Sequence, residues 1–169
     1  MACGAEIALE RVKDSDKLLF ANLFNLYHHD RAKFFPELYT AVDEEGYYDK
    51  AVVAELLAEP PDKVQSFFIK YGDNVAGLVV LVMPPYVKPG CDYGILEIFV
   101  LNNFRGKGIA RGVCKLLFNK FPGRYCAMVA ENDVDALGFW DKIIPASGNL
   151  LGREKNKEEL IVFEWTVER

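Results

Sequence analysis

The chain has 169 residues, of which 51% are hydrophobic and 27% are charged, and this composition is typical of a globular protein. Its net charge of −5 argues against a general affinity for nucleic acid or for an anionic membrane surface. No stretch has the ~18 consecutive apolar residues of a membrane span. This length predicts one domain, residues 1–169, with a core of its own.

The four cysteines are spread along the sequence at Cys3, Cys91, Cys114 and Cys126. They form no C-x-x-C pair and show no metal-like spacing with the two histidines, so we predict reduced thiols and no metal site. The first ten residues lack the basic region and long apolar core of a signal peptide. Together these features predict a cytoplasmic protein.

The part of the chain before residue 64 is predicted to hold one strand and two helices. They cover residues 5–12, 16–35 and 47–59. Pro36 and the Pro60-Pro61 pair mark the two helix ends, because a residue before proline disfavours the helical backbone.

The second half alternates strands with helices. Strands are predicted at 64–70, 75–83, 95–101, 125–130 and 160–167, and helices at 109–121 and 133–144. Residues 148–157 are predicted to be mostly loop, with room for a short strand. This order predicts an α/β layered fold, in which a mixed sheet carries helices on both faces.

A glycine-punctuated loop joins the strand at 95–101 to the helix at 109–121, and it reads Arg105-Gly106-Lys107-Gly108-Ile109-Ala110. Glycines at a helix entrance let the backbone turn without a Cβ and let a ligand approach the main chain. The first N–H groups of a helix have no partners within it, and the helix dipole adds positive charge there. The loop therefore predicts an anion site, most typically for phosphate or pyrophosphate.

The Arg-x-x-Gly-x-Ala pattern of this loop resembles the pyrophosphate-binding signature of the GNAT superfamily, the acetyl-CoA-dependent N-acetyltransferases. Two further stretches extend the resemblance. The run 97–100 is similar to the family's fourth strand, and Ala136-x-x-Phe139-Trp140 is similar to its last helix. The resemblance is good over residues 64–144. Before and after this range, only the order of helices and strands resembles the family.

This resemblance implies a central mixed, mostly antiparallel sheet of six to seven strands, in which the fourth and fifth strands separate to admit coenzyme A. It also implies acetyl-CoA as co-substrate, with no metal. The implied cofactor-binding residues are Phe99, Val100, Arg105, Gly106, Lys107, Gly108, Ile109, Ala110, Asn132, Asp133, Phe139 and Trp140.

Glu97 is a carboxylate within an apolar strand, where a charge costs several kcal/mol unless it is paired, hydrated or functional. In some members of the family an acidic residue in this region deprotonates the amine or binds a cationic substrate. Glu97 is thus the predicted catalytic residue. A structural partnership with a buried Arg or Lys, or a place at a wet cleft, is the alternative.

The last helix departs from the family pattern at two positions. Asp133 takes the place of the family's asparagine, so either Asp133 caps the helix or a one-residue shift brings Asn132 into use. Trp140 takes the place of the tyrosine that usually protonates the leaving thiolate, and an indole N–H does not supply a proton at neutral pH. Tyr93 and Tyr125 are candidate replacements.

In the family the first helix and its following loop cover the acceptor site. Tyr27, His28 and Asp30 are therefore candidates for substrate contact, with surface helix residues as the alternative. Adjacent helix residues point in different directions, so His28 and His29 are poorly placed to share one ligand.

The predicted function is acetyl transfer from acetyl-CoA to a primary amine of a small molecule or peptide, by direct attack in a ternary complex. The alternative is a non-catalytic acyl-CoA-binding or regulatory module on the same fold. A P-loop nucleotide site is disfavoured, because Gly106-Lys107-Gly108 lacks the following Ser or Thr and the wider glycine spacing of that motif. Nucleic acid and membrane are not expected as partners, and a homodimer is left open.

Overall fold

The computed structural model describes residues 5–168 and contains a single seven-stranded sheet with four α-helices in that range. The strands are β1 (Ile7–Arg11), β2 (Val64–Tyr71), β3 (Asn74–Val82), β4 (Tyr93–Val100), β5 (Gly123–Ala130), β6 (Asn149–Lys155) and β7 (Leu160–Val167). The helices are α1 (Lys17–Arg31), α2 (Lys50–Ala58), α3 (Ile109–Lys120) and α4 (Val134–Ser147).

The strands lie in the order β1-β2-β3-β4-β5-β7-β6. Every neighbouring pair is antiparallel except β4 and β5, which run parallel and are connected through α3. The predicted α/β fold with a mixed, mostly antiparallel sheet is confirmed.

Strands β4 and β5 pair over three residues only, from Tyr93 opposite Tyr125 to Ile95 opposite Ala127. Beyond that point β4 continues to Val100, paired with β3 alone, and β5 continues to Ala130, paired with β7 alone. The facing edges of the two strands are therefore unpaired, and a wedge-shaped opening divides the sheet.

A bulge in β4 decides which way its side chains face. Val80 of β3 lies opposite Glu97, whereas the next residue of β3, Leu81, lies opposite Ile95, so Leu96 is the extra residue. A bulge shifts the alternation of side chains by one position. Ile95 consequently joins the core on one face of the sheet, while Glu97 turns to the other face.

Two hydrophobic cores lie on opposite faces of the sheet. Helices α3 and α4 pack on one face through residues such as Val113, Leu117 and Ile144, against Val79 and Leu81 of β3. On the other face α1 and α2 contribute Phe20, Phe24 and Val53, which pack against Leu78 and Val80. Alternate residues of β3 thus feed alternate cores, as a strand covered on both faces requires.

The observed elements differ from the predicted ones at several ends, and α2 begins at Lys50 and not at Tyr47. α1 ends at Arg31 and not near Phe35, because the N–H groups of Phe34 and Phe35 both donate to the Arg31 carbonyl in tight turns. α4 continues through Pro145 to Ser147. Residues 149–155 form a full strand, β6, paired to β7 along the sheet edge. Most residues of β6 are exposed, so its sequence lacks the alternation of apolar and polar residues that would predict a strand.

Cys91, Cys114 and Cys126 are free and buried, and Cys3 lies outside the described residues. Within residues 5–168, no three His, Cys, Asp or Glu side chains are grouped so that they could hold a metal ion. No helix in that part of the chain is both long and apolar enough to cross a bilayer.

Candidate active site

The opening between β4 and β5 is the floor of a cavity of about 320 Å³, which we call the main cavity. Its walls are residues 95–100 of β4, residues 127–129 of β5, the C-terminal end of α1 and the N-terminal half of α4. A second cavity of about 240 Å³ lies at the glycine loop. Val100, Arg105, Ala110 and Phe139 line both cavities, so one groove runs from the glycine loop to the opening.

In the glycine loop, backbone without side chains borders this groove. Gly106 and Gly108 both have φ of +75°, in the left-handed region that favours glycine, and a Cβ added to either would meet nothing within 4 Å. Gly108 is the N-cap of α3, and the first intrahelical bond runs from the Gly112 N–H to the Gly108 carbonyl. The N–H groups of the first turn are thus available to an anion, and the site fits a pyrophosphate.

Arg105 crosses from this loop to α1. Its Nε donates to the Val100 carbonyl at 2.7 Å, its guanidinium pairs with the Asp30 carboxylate, and it lies 5.7 Å from the centre of the Phe99 ring. Lys107 lines neither cavity, and its ammonium lies 5.3 Å from the centre of the Phe104 ring. Of the two loop cations, only Arg105 borders the groove.

Glu97 lies inside the main cavity and accepts a hydrogen bond at Oε2 from the Tyr27 hydroxyl. Burial raises the pKa of Glu97 to about 8, because desolvation disfavours the charged form. Among residues 5–168, no Lys, Arg or His lies close enough to form an ion pair with it. Its partner is a phenol, and not the buried cation that a structural role would call for.

Tyr27 is packed on three sides and is only 6% exposed. Its ring lies edge-on to Phe24 at 5.4 Å between centroids and 5.8 Å from Phe99. The guanidinium of Arg31, one helical turn further on, lies 5.8 Å from the ring centre. Arg31 itself is 3.8 Å from a carboxylate oxygen of Asp133, which connects α1 to the start of α4.

Asp133 caps α4, since its side chain accepts a hydrogen bond of 3.0 Å from the Ala136 N–H. Asn132 lies outside the main cavity and borders a separate one of about 400 Å³. Phe139 and Trp140 both line the main cavity, and Trp140 is backed by Trp165 at 5.4 Å. Of the two alternatives for this helix start, the structure has Asp133 as the cap.

The remaining predicted residues fall outside the main cavity. His28 is buried and its ring stacks on Tyr39 at 4.8 Å between centroids, so the alternative that it is a surface helix residue is wrong. Desolvation lowers the pKa of His28. His29 contacts the Tyr48 hydroxyl at 3.0 Å. Tyr125 is fully buried, donates to the Phe121 carbonyl at 2.6 Å, and has its pKa raised by burial. Neither Tyr125 nor Tyr93 lines the groove.

Several residues that line the main cavity belong to no motif, and the sequence alone did not identify them. They are Arg31, Lys33, Phe34, Met128 and Asp135. The available signal for Arg31 is its spacing of four residues from Tyr27, which places both on one face of α1.

The sequence profile of the acetyltransferase (GNAT) family matches residues 22–143, more than two thirds of the chain. Among curated proteins, none matches the sequence with significance. Many solved structures match this fold, and the three that follow do so at low sequence identity. A GNAT-family acetyltransferase from Streptococcus agalactiae 2603 has a TM-score of 0.69 at 13% identity, over 96% of either chain.

A mutant spermidine N-acetyltransferase from Vibrio cholerae has a TM-score of 0.59 at 14% identity, over 95% of this chain and 93% of that one. The microcin C7 self-immunity acetyltransferase, solved in complex with acetyl-CoA and AMP, has a TM-score of 0.61 at 15% identity, over 96% of this chain and 93% of that one. At these identities the likeness supports the fold.

Proposed function

The chain belongs to the GNAT family of acetyltransferases, and on that premise we propose that it transfers an acetyl group from acetyl-CoA to a primary amine. The acceptor is a small molecule or peptide, and the amine attacks directly in a ternary complex. The observation that supports this most is the groove that runs from the open glycine loop to Glu97 in the opening between β4 and β5.

We assign three parts of coenzyme A to surfaces of the groove. The free N–H groups at Gly106, Gly108, Ile109 and Ala110 would hold the pyrophosphate, with Arg105 at their side. The unpaired edge of β4 around Phe99 and Val100 would hold the pantetheine arm through its backbone polar groups. Phe139 and Trp140 would pack near the sulfur. Bound there, acetyl-CoA supplies a thioester acetyl group.

Glu97 is our proposed general base. A base is most effective when its pKa lies near the working pH, and burial brings the pKa of Glu97 to about 8. The carboxyl group has no cation beside it in the cavity, so its ionised form can accept a proton from the nitrogen of a neutral amine as the amine attacks. The likeness to a spermidine N-acetyltransferase fits an amine acceptor.

The test of this proposal is thermal unfolding with and without acetyl-CoA, with ADP as a fragment. A ligand that binds only the folded state stabilises it by about 2.7 kcal/mol at a hundredfold excess over Kd. We expect a clear rise in Tm with acetyl-CoA and a smaller one with ADP, followed by turnover in a screen of amines. An unchanged Tm at millimolar acetyl-CoA would refute the cofactor site.

Trp140 favours one alternative, a non-catalytic acyl-CoA-binding module, because it removes the family's usual proton donor. That protein would bind acetyl-CoA with the same rise in Tm, but it would acetylate no amine. Mass spectrometry of amine mixtures incubated with acetyl-CoA and the protein separates the two functions.

A further inference from the structure

When an amine attacks a thioester, the thiolate that leaves must gain a proton. The residues that line the main cavity limit where that proton can come from. Among the described residues that line it, Tyr27 is the only one with a hydroxyl group, and none is a cysteine or histidine. Trp140 has an indole N–H that does not ionise at neutral pH. Asp135 and Lys33 also line the cavity, but both are exposed to solvent, whereas Tyr27 is buried beside Glu97.

We propose that Tyr27 donates the proton to the departing thiolate of coenzyme A, and that Glu97 returns a proton to it through their hydrogen bond. This inference rests on the proposed function and adds a catalytic residue to it. The same two side chains would then accept the proton from the amine and supply the proton to sulfur.

The surroundings of Tyr27 suit a proton donor. Phe24 and Phe99 fix the ring, and its hydroxyl already lies on Glu97 Oε2. The Arg31 guanidinium lies 5.8 Å from the ring centre, and a positive charge near a phenol favours its ionised form as the proton leaves. Other charged groups that face the cavity are Asp30, Lys33, Arg105, Asp133 and Asp135, of which Asp30 and Asp133 are paired with Arg105 and Arg31.

The transfer balances as follows. The amine nitrogen forms a bond to the acetyl carbon and the carbon–sulfur bond breaks, with its electron pair remaining on sulfur. Glu97 takes a proton from nitrogen, and Tyr27 gives its proton to sulfur. Glu97 then passes its proton to the Tyr27 phenolate. The products are the amide and the free thiol, and both side chains return to their starting state without any further reactant.

The decisive measurement is the pKa of the thiol of coenzyme A bound to the protein, because it needs no acceptor amine. It is read from thiolate absorbance across a pH titration, with the desulfo-CoA complex subtracted as a blank for tyrosine ionisation. A hydroxyl that donates to the thiolate stabilises it, so we expect Tyr27→Phe to raise the bound thiol pKa by about one unit. Phenylalanine keeps the ring and its packing.

Tyr39→Phe is the matched control, because Tyr39 also packs against α1 but does not line the cavity. It should leave the bound thiol pKa unchanged. Once an acceptor is known, Tyr27→Phe should lower kcat by roughly 100-fold with KM for the amine unaltered, within the usual range for loss of general acid catalysis.

The outcomes separate the two levels of inference. Coenzyme A that binds Tyr27→Phe with an unchanged thiol pKa would overturn the role of Tyr27 while leaving the acetyltransferase proposal in place. Failure of the wild-type protein to bind coenzyme A would overturn both.

Discussion

Arg105 of the glycine loop forms an ion pair with Asp30, which lies 75 positions earlier near the end of α1. The same guanidinium donates to the Val100 carbonyl at the end of β4. The side chain expected to meet the pyrophosphate of coenzyme A is therefore already engaged, and Asp30 would compete with the cofactor for it.

Removing that competitor should strengthen cofactor binding. Both partners of the pair are partly exposed, and exposed pairs contribute about 0.2–1 kcal/mol, so Asp30→Asn should tighten the affinity for coenzyme A by roughly 1.5- to 5-fold. Titration calorimetry measures the change. Asp135→Asn is the control, because Asp135 lines the same cavity without contacting Arg105. Equal effects from both variants would mean that only the overall charge matters.

Bulk at the glycine loop should block the cofactor. In Gly108→Trp the indole would enter the open space before the first turn of α3, and we expect a loss in acetyl-CoA affinity on the order of 100-fold or more, about 2.7 kcal/mol. A non-glycine residue at this φ costs about 1–2 kcal/mol, which the fold should withstand.

The control for this variant is Gly46→Trp. Gly46 has φ of +86° and equally open surroundings, but it lies in the loop before α2, away from the groove. It imposes the same kind of backbone strain without touching the site. Undiminished affinity in a folded Gly108→Trp protein would remove the glycine loop from the cofactor site.

The strand, loop and helix from 93 to 120 were predictable because each signal there is local. The apolar run, the glycines and the apolar stripe of α3 lie within one short stretch of sequence. The bulge at Leu96 was not predictable in this way. Simple alternation would put Ile95, Glu97 and Phe99 on one face, and only the pairing with β3 shows that Ile95 turns away.

The partnership of Glu97 with Tyr27 depends on that bulge and spans 70 positions, so no pattern within either segment reports it. The sequence reading suggested Tyr27 as a substrate contact and Glu97 as a base, without connecting them. It also assigned His28 to the helix surface or the substrate, because the turns after Arg31 that bring Tyr39 onto His28 carry no sequence signal.

The pH dependence of turnover should report Glu97. With a pKa of about 8, the carboxylate is mostly protonated at neutral pH, so kcat/KM should rise with pH and level off above about 8. The ratio of wild-type to Glu97→Gln rates cancels the ionisation of the amine. That ratio should be roughly 100-fold or more above pH 8 and should shrink below it. A ratio that does not vary with pH would favour a structural role.

Stability offers a check on the same pKa without any substrate. Below pH 4.5, the ordinary value, Glu97 is protonated in both the folded and the unfolded state. Between 4.5 and about 8 the unfolded chain ionises first, so the stability that the buried acid contributes is lost as pH rises. The Tm of Glu97→Gln minus that of the wild type should therefore grow over this range and then stay level. A difference that falls with rising pH would contradict the raised pKa.

Gly77 and Gly138 should respond oppositely to the same added methyl group. A Cβ at Gly77 would lie 1.9 Å from the Phe99 carbonyl oxygen, where β3 and β4 approach closely beneath the cavity, whereas one at Gly138 in α4 would meet nothing within 4 Å. Gly77→Ala should therefore lower the free energy of unfolding by about 1–3 kcal/mol. Gly138→Ala should raise it by about 0.4–1 kcal/mol, since alanine favours the helix. Urea unfolding measures both.

Because β4 must shift to admit the methyl group, Gly77→Ala should also weaken acetyl-CoA binding. A destabilised protein with undiminished affinity would show that this part of β4 does not contact the cofactor.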